Sequence, residues 1–266
     1  MKSKNKSTSW GGVADWYDDY LQKDDTYQSK VIWPNVERII SDASTGRKEP
    51  AVVCDIACGQ GYFSHKLAEK GYRVTGIDIS NELIKIASDT AKGRVYPIEP
   101  VFGVANSHDI QLISDTSIDI CICILALQNI KLLDETYKEV ARILRNGGKF
   151  IFVINHPSFR IPQYSDWEYS QKTHTQSRII SKYLLESTIK IDMHPGKKGQ
   201  KTYTTSFHRP LQTFIKLLLK HGLAISRLEE WSSHKKTPSG PRSEAENLAR
   251  KEIPLFMCIE VIKQVR

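Results

Sequence analysis

The 266-residue chain is poor in cysteine, has no apolar run approaching 18 residues, and carries no block of five or more like charges. Each absence excludes a class of protein. The five cysteines, Cys54, Cys58, Cys121, Cys123 and Cys258, are odd in number, and four sit in apolar strand-like runs without histidines spaced beside them as ligands. They read as buried core thiols in a reducing compartment rather than as a disulfide framework or a metal site, so no metal is expected. Lacking a spanning run, the chain is not expected to cross a membrane. The first residues are polar, with Lys2, Lys4 and Lys6 and no stretch of signal-peptide length, so a cytoplasmic protein is expected. No fixed period of 20 to 50 residues marks a solenoid.

What charge there is divides unevenly. The net charge is +8; residues 1–150 hold 19 Lys/Arg against 20 Asp/Glu, and residues 151–266 hold 19 against 10. The basic second half suits nucleic acid, an acidic small molecule or an anionic surface, and equally a solvated basic face with no partner.

Apolar periodicity predicts helix within residues 13–45, with Val31, Val36, Ile39 and Ile40 on one face after Pro34. The polar stretch from Thr45 to Pro50 ends it. Ala51 to Ile56 is a short, wholly apolar run apart from Asp55, the composition of a strand buried on both faces of a parallel sheet. A glycine turn and a helix from Phe63 to Lys70 follow. The strand-then-helix unit recurs as Arg73–Ile79 with Glu82–Lys92 and as Ile118–Leu127 with Asp134–Leu144, before Gly147 and Gly148 lead into Lys149–Ile154. This alternation predicts a doubly wound α/β sheet. From His156 to Phe207 the pattern lapses into a long polar segment whose aromatics, Tyr164, Trp167 and Tyr169 among them, argue against disorder and for a cap over a site. A helix Leu211–His221 and two apolar stretches, Leu223–Trp231 and Leu255–Lys263, complete the sheet as an antiparallel pair.

Chemistry concentrates in Asp55-Ile56-Ala57-Cys58-Gly59-Gln60-Gly61, between a strand and a helix. Glycines there let the backbone approach a ligand, and the helix N-terminus presents free N–H groups. The second strand ends on Asp78, 17 residues after Gly61, where a carboxylate can hold a ribose diol by two hydrogen bonds. Ser80 and Asn81 already suffice to cap the next helix.

With these residues in place, the chain resembles the class I, Rossmann-like S-adenosylmethionine-dependent methyltransferases, in the branch of the ubiquinone and menaquinone biosynthesis enzymes. The family's acidic residue and Gly-x-Gly-x-Gly turn correspond to Asp55 through Gly61, with Ala57 replacing the first glycine. Further matches are Gly103 to Ser107 beyond the third strand, Ser117 to Asn129 around the fourth, and Arg142 to Phe150 into the fifth, all in the family's order. The resemblance implies an α/β fold, doubly wound, with a mostly parallel seven-stranded sheet whose last strand is antiparallel, an N-terminal helical lid and an inserted cap after strand 5. The divisions would be 1–45 for the lid, 46–155 for the cofactor-binding core, 156–207 for the substrate cap and 208–266 for the rest of the sheet.

It implies S-adenosyl-L-methionine as cofactor, with S-adenosyl-L-homocysteine as product. Asp55 would organise its methionine end, Gly59 and Gly61 would give its backbone room, Asp78 would hold the ribose hydroxyls, and Ala57 and Ile79 would line the cofactor site. Ala105 and Asn106 would read the adenine, Leu125 would lie at the end of the fourth strand, and Tyr17 and Tyr27 would close the lid.

Methyl transfer from a sulfonium is an in-line displacement, so alignment and water exclusion dominate, and a histidine base helps when the acceptor is a hydroxyl or protonated nitrogen. His156 and His208 are the candidates. Arg160 and Arg209 suit an acidic acceptor, and Trp167 a flat one. A small-molecule acceptor is the leading expectation; an RNA acceptor rests on the basic second half and the cap aromatics. A nicotinamide-dependent oxidoreductase would need its third glycine at Ser64. A non-catalytic cofactor-binding protein is the remaining alternative.

Overall fold

The structure, a computed structural model, describes residues 24–192 and 203–265. The helical stretch from Val13 and the lid residue Tyr17 lie outside the described residues, as does the Pro195–Gly199 part of the polar segment.

Alternating apolar side chains make the central strands two-sided. In β1 (Val52–Ile56), β4 (Ile118–Ile124) and β5 (Leu144–Asn155), Cys54, Ile56, Cys121, Cys123, Phe150 and Phe152 feed one buried layer, and Val53, Ile120, Ile122, Ile151 and Val153 the opposite one. The first layer is closed by α4 (Leu133–Ile143) through Tyr137 and Val140, and by α5 (Leu211–Lys220) through Phe214 and Leu218. The second is closed by α1 (Trp33–Ser44) through Val36, Ile39 and Ile40, and by α2 (Tyr62–Glu69) through Phe63 and Leu67. Complete burial of each such side chain contributes about 1.5–3 kcal/mol, which is why helices cover both faces.

β2 (Arg73–Asp78), followed by α3 (Asn81–Lys92), and β3 (Val101–Val104) extend the sheet on one side. On the other lie β11 (Phe256–Lys263) and β10 (Leu223–Trp231), giving the order β3-β2-β1-β4-β5-β11-β10. All pairings are parallel except those of β11, antiparallel to β5 and β10. The expected doubly wound, seven-stranded sheet with an antiparallel last strand is therefore present. The order turns back at β1 and β4, which leaves a crevice beyond their carboxyl ends.

The polar segment after β5 is not a long loop. It forms two antiparallel hairpins, β6 (Ser165–Ser170) with β7 (Thr175–Ile180), and β8 (Ser187–Asp192) with β9 (Tyr203–His208). The chain from Trp231 returns over the first hairpin: Arg242 lies 4.6 Å from the Tyr169 ring, ahead of α6 (Ser243–Glu252). Among the described residues no helix is long and apolar enough to cross a membrane. Cys54, Cys121, Cys123 and Cys258 are buried as expected, and Cys58 is partly exposed.

Candidate functional site

β1 delivers Asp55 and then the turn. The backbone of Ala57, Gly59 and Gly61 is left-handed, with φ of 58°, 59° and 83°. At Gly61 a Cβ would come within 2.9 Å of the Phe102 ring, so that position requires glycine for space as well as conformation. Ala57 bears a Cβ in a conformation that costs an L-residue about 1 kcal/mol. Replacing the family's first glycine is thus a strained substitution rather than a neutral one. Ala57→Gly is expected to raise stability by about 1 kcal/mol, near 2 °C in Tm, measured by thermal denaturation; a lower Tm would contradict the strain.

Asp78 ends β2 with 8% of its surface exposed. Its Oδ2 accepts from the Gly59 N–H at 3.0 Å and its Oδ1 from the Ser80 N–H at 2.9 Å, so the carboxylate ties the glycine turn to the start of α3. Burial raises its pKa, and the backbone donors oppose the rise. Each oxygen keeps one lone pair for a ligand. Asp55 is more deeply placed, 2% exposed, and accepts from Ser64 Oγ at 2.6 Å. Burial, with the Asp78 charge adding to it, pushes its carboxyl up to about 7. The Ser64 hydroxyl occupies the position where a dinucleotide fingerprint would have its third glycine, and it is committed to Asp55.

Two cavities, about 310 and 150 Å³, share Ala57, Asp78, Ile79, Asn129 and Ile130. Ala105, Asn106 and Leu132 line the larger; Gly59 and Leu125 line the smaller. Ile79 is 50% exposed, an apolar side chain held open beside a carboxylate. Asn106 is fixed by a bridge to Asp109, and the Ala105 N–H donates to the Asp78 carbonyl at 3.0 Å. Asp55 and Gly61 line neither cavity: one braces α2, the other caps its N-terminus.

A third cavity, about 450 Å³, meets the others at Leu125 and Asn129 and extends to Gln28, Gln128, Asn155, Arg160, Arg178 and Ser206. Leu125 stands at the junction with a left-handed φ of 56°, strain of the sort that collects at functional sites. Arg160 lines this cavity. Arg178, Gln28, Gln128 and Asn129 were not singled out from the sequence. Gln128 and Asn129 directly follow the fourth-strand motif, whereas Arg178 sits in a polar hairpin with no pattern to mark it.

Several expected residues stand elsewhere. His156 is 2% exposed; its Nδ1 accepts from the N–H groups of Ser158 and Phe159, so Nε2 carries the proton and donates to Glu230 Oε1 at 2.6 Å. Burial lowers its pKa against the pull of Glu230. Both nitrogens are spent, and the ring borders none of these cavities. Arg209, expected to grip an acceptor, donates instead to the carbonyls of Leu127, Ile130 and Lys131 at 3.4, 2.8 and 2.9 Å, holding the segment that carries Gln128 and Asn129. Tyr27 packs away from the cofactor-side cavities, edge-on to His234 and Phe256, with its hydroxyl 3.2 Å from Ser233 Oγ. Trp167 pairs across the hairpin with Arg178, whose guanidinium lies 5.0 Å from its ring, and it lines none of these cavities itself. His208 borders a small cavity of about 30 Å³ that shares Gln128, Arg160 and Ser206 with the large one, and its Nε2 donates to the Tyr183 carbonyl at 2.8 Å.

Residues 54–152 match the family described as a methyltransferase domain. The chain is 32% identical to a malonyl-acyl-carrier-protein O-methyltransferase of Hamiltonella defensa, over 41% of this chain and 39% of that protein. It is 29% identical to a ubiquinone biosynthesis O-methyltransferase of Coxiella burnetii, over 42% of this chain and 47% of that one. The chain thus spans less than half the length of these relatives. The crystal structure of an S-adenosylmethionine-dependent methyltransferase from Mesorhizobium loti superposes with a TM-score of 0.68 at 21% identity, covering 89% of this chain and all of the other. The domain match and the shared fold imply S-adenosyl-L-methionine as the cofactor. The paired cavities fit it: a carboxylate acceptor at Asp78, an exposed apolar face at Ile79, and a turn at Gly59 where an added Cβ meets nothing within 4 Å.

Proposed function

We propose that this protein is an S-adenosylmethionine-dependent methyltransferase acting on a small-molecule acceptor. One observation carries the reading: the cavities beyond β1, β2 and β4 join an acceptor-sized cavity at Leu125 and Asn129, so two ligands can meet end to end. When bound, the cofactor supplies an activated methyl group on a sulfonium. The chain's own part is to hold and align. Asp78 takes the ribose hydroxyls, Ile79 and Ile130 face the adenine, Asn106 offers its amide to the base edge, and the hairpins after β5 serve as a cap that keeps water from the junction. Arg209 fixes the wall between the two sites.

The acceptor cavity sets amides, hydroxyls and guanidinium groups beside an apolar wall that includes Leu125, Ile161, Pro162 and Ile191. Its volume of about 450 Å³ suits a compact acceptor with one polar and one apolar side, and the motif order and the ubiquinone-pathway relative support the ubiquinone and menaquinone biosynthesis branch for the cofactor half. We assign no proton transfer to His156. His208, with Nε2–H donated to a carbonyl, keeps a bare Nδ1 in its neutral form and is the base candidate when the acceptor needs one.

The test is transfer of tritiated methyl from S-adenosylmethionine into a small-molecule and RNA extract, with the product sized before and after ribonuclease. Label is expected in a small, nuclease-resistant species; label in a large species that ribonuclease degrades would replace the reading with RNA methylation. In the same assay His208→Ala is expected to lower turnover about 100-fold, and His156→Ala to lower stability with turnover retained per folded molecule. Full activity of His208→Ala would remove the base.

A further inference from the structure

Two cations line the acceptor cavity without an anion. Arg160 donates Nη1 to Asn155 Oδ1 at 3.1 Å, and Arg178 donates Nε to the Phe159 carbonyl at 2.7 Å and Nη2 to Ser165 Oγ at 2.6 Å. Among the described residues neither guanidinium forms an ion pair, and no Asp or Glu lines the cavity. Burial lowers the pKa of each, the Arg178 charge disfavours that of Arg160, and the opposing charge beside Arg178, Asp166, lies outside the cavity lining. Paired, partly buried like charges are costly unless something of opposite sign joins them.

The same cavity holds the complementary defect. Gln128 donates Nε2 to the Leu125 carbonyl at 2.6 Å, which fixes its amide so that Oε1, buried and accepting no hydrogen bond, is left for another donor. Gln28, 6% exposed, likewise has a buried Oε1 without a partner. Orphaned acceptors of this kind cost about 1–3 kcal/mol each until a donor arrives. The cavity therefore lacks one anion, opposite two guanidinium groups, and at least one O–H or N–H beside Gln128, whose sequence neighbour Asn129 also lines the cofactor hollow.

Resting on the methyltransferase reading, we infer that the acceptor is an anionic small molecule whose carboxylate or phosphate is held by Arg160 and Arg178, while a separate O–H or N–H, the group to be methylated, donates to Gln128; its oxygen or nitrogen would bond the methyl carbon as the carbon–sulfur bond breaks, S-adenosylhomocysteine would leave, and the proton would pass to His208 or to water. Neither arginine borders the cofactor cavities, so the anion is a handle and leaves unmethylated. Arg178 is thus a specificity residue contributed by the first hairpin.

The experiment uses the full chain, tritiated S-adenosylmethionine and a small-molecule extract fractionated on anion-exchange resin, with S-adenosylhomocysteine affinity measured calorimetrically in parallel. The labelled product is expected to bind the resin and to keep its label in mild base; release of the product from the resin after phosphatase treatment identifies a phosphate handle, retention a carboxylate. Arg160→Met and Arg178→Met are each expected to lower transfer about 100-fold with S-adenosylhomocysteine affinity within twofold of wild type, which also reports that they fold, and Arg160→Lys to recover part of the loss. Label in unretained material, base-labile label that marks a carboxyl ester, or transfer undiminished in both methionine variants would overturn the inference. So would loss of S-adenosylhomocysteine affinity in the variants, since the arginines would then hold the cofactor's carboxylate. Failure of the wild-type protein to bind S-adenosylhomocysteine or to label any fraction would instead remove the methyltransferase reading, and this inference with it.

Discussion

Asp78→Ala is expected to weaken S-adenosylhomocysteine binding by about 1000-fold, read by calorimetric titration. Hydrogen bonds to a charged acceptor contribute about 1.5–3 kcal/mol each, and the substitution removes the pair proposed for the ribose diol. It also frees the Gly59 and Ser80 N–H groups that the carboxylate now ties together, so the turn loses its brace as well as its ligand contact. The sheet should persist, because Asp78 sits at the end of β2 and the packed positions, Val74 and Ile77, are untouched. Affinity unchanged within threefold would sink the ribose assignment.

Asp55→Asn should behave in the opposite sense, by stabilising the protein as pH rises. The folded-state pKa of about 7 lies above the ordinary 3.8, because burial disfavours the charged form. An acid raised in this way contributes its stability below the unfolded pKa and loses it as pH climbs through the folded one. Asparagine keeps an acceptor for Ser64 and never ionises. The stability gap between variant and wild type is therefore expected to be small at pH 4.5 and to reach on the order of 4 kcal/mol in the variant's favour at pH 8, compared by urea unfolding at both pH values. A gap of equal size at the two pH values would show that Asp55 is not held near neutral titration.

The two halves of the site differed in how far the sequence revealed them. The hollow beyond β1 and β2 was legible because its residues are local: Ala57, Gly59, Asp78 and Ile79 follow two strand ends close together in sequence, and strand alternation marks those ends. The acceptor half is assembled from Gln28, Gln128, Arg160 and Arg178, which lie on four separate stretches and meet only through tertiary packing. The hairpins were hidden for a physical reason. In β6 every residue is at least partly solvated, so no apolar alternation betrays the strand. For His156 and Arg209 the chain position was legible and the partners were not: the histidine past β5 is held by Glu230 and the N–H groups of Ser158 and Phe159, and the arginine before α5 donates to three backbone carbonyls, contacts made only in the folded chain. At Ala57 the side chain is small, and the cost of replacing glycine lies in a left-handed φ that no sequence pattern displays.

The hollow at Ala57, Asp78 and Ile79 is proposed to bind S-adenosylmethionine. The most direct measurement is titration of the wild-type protein with S-adenosylhomocysteine and, separately, with NADH. One-to-one binding of S-adenosylhomocysteine in the micromolar range with no heat from NADH is the predicted result; binding of NADH with none of S-adenosylhomocysteine would contradict it.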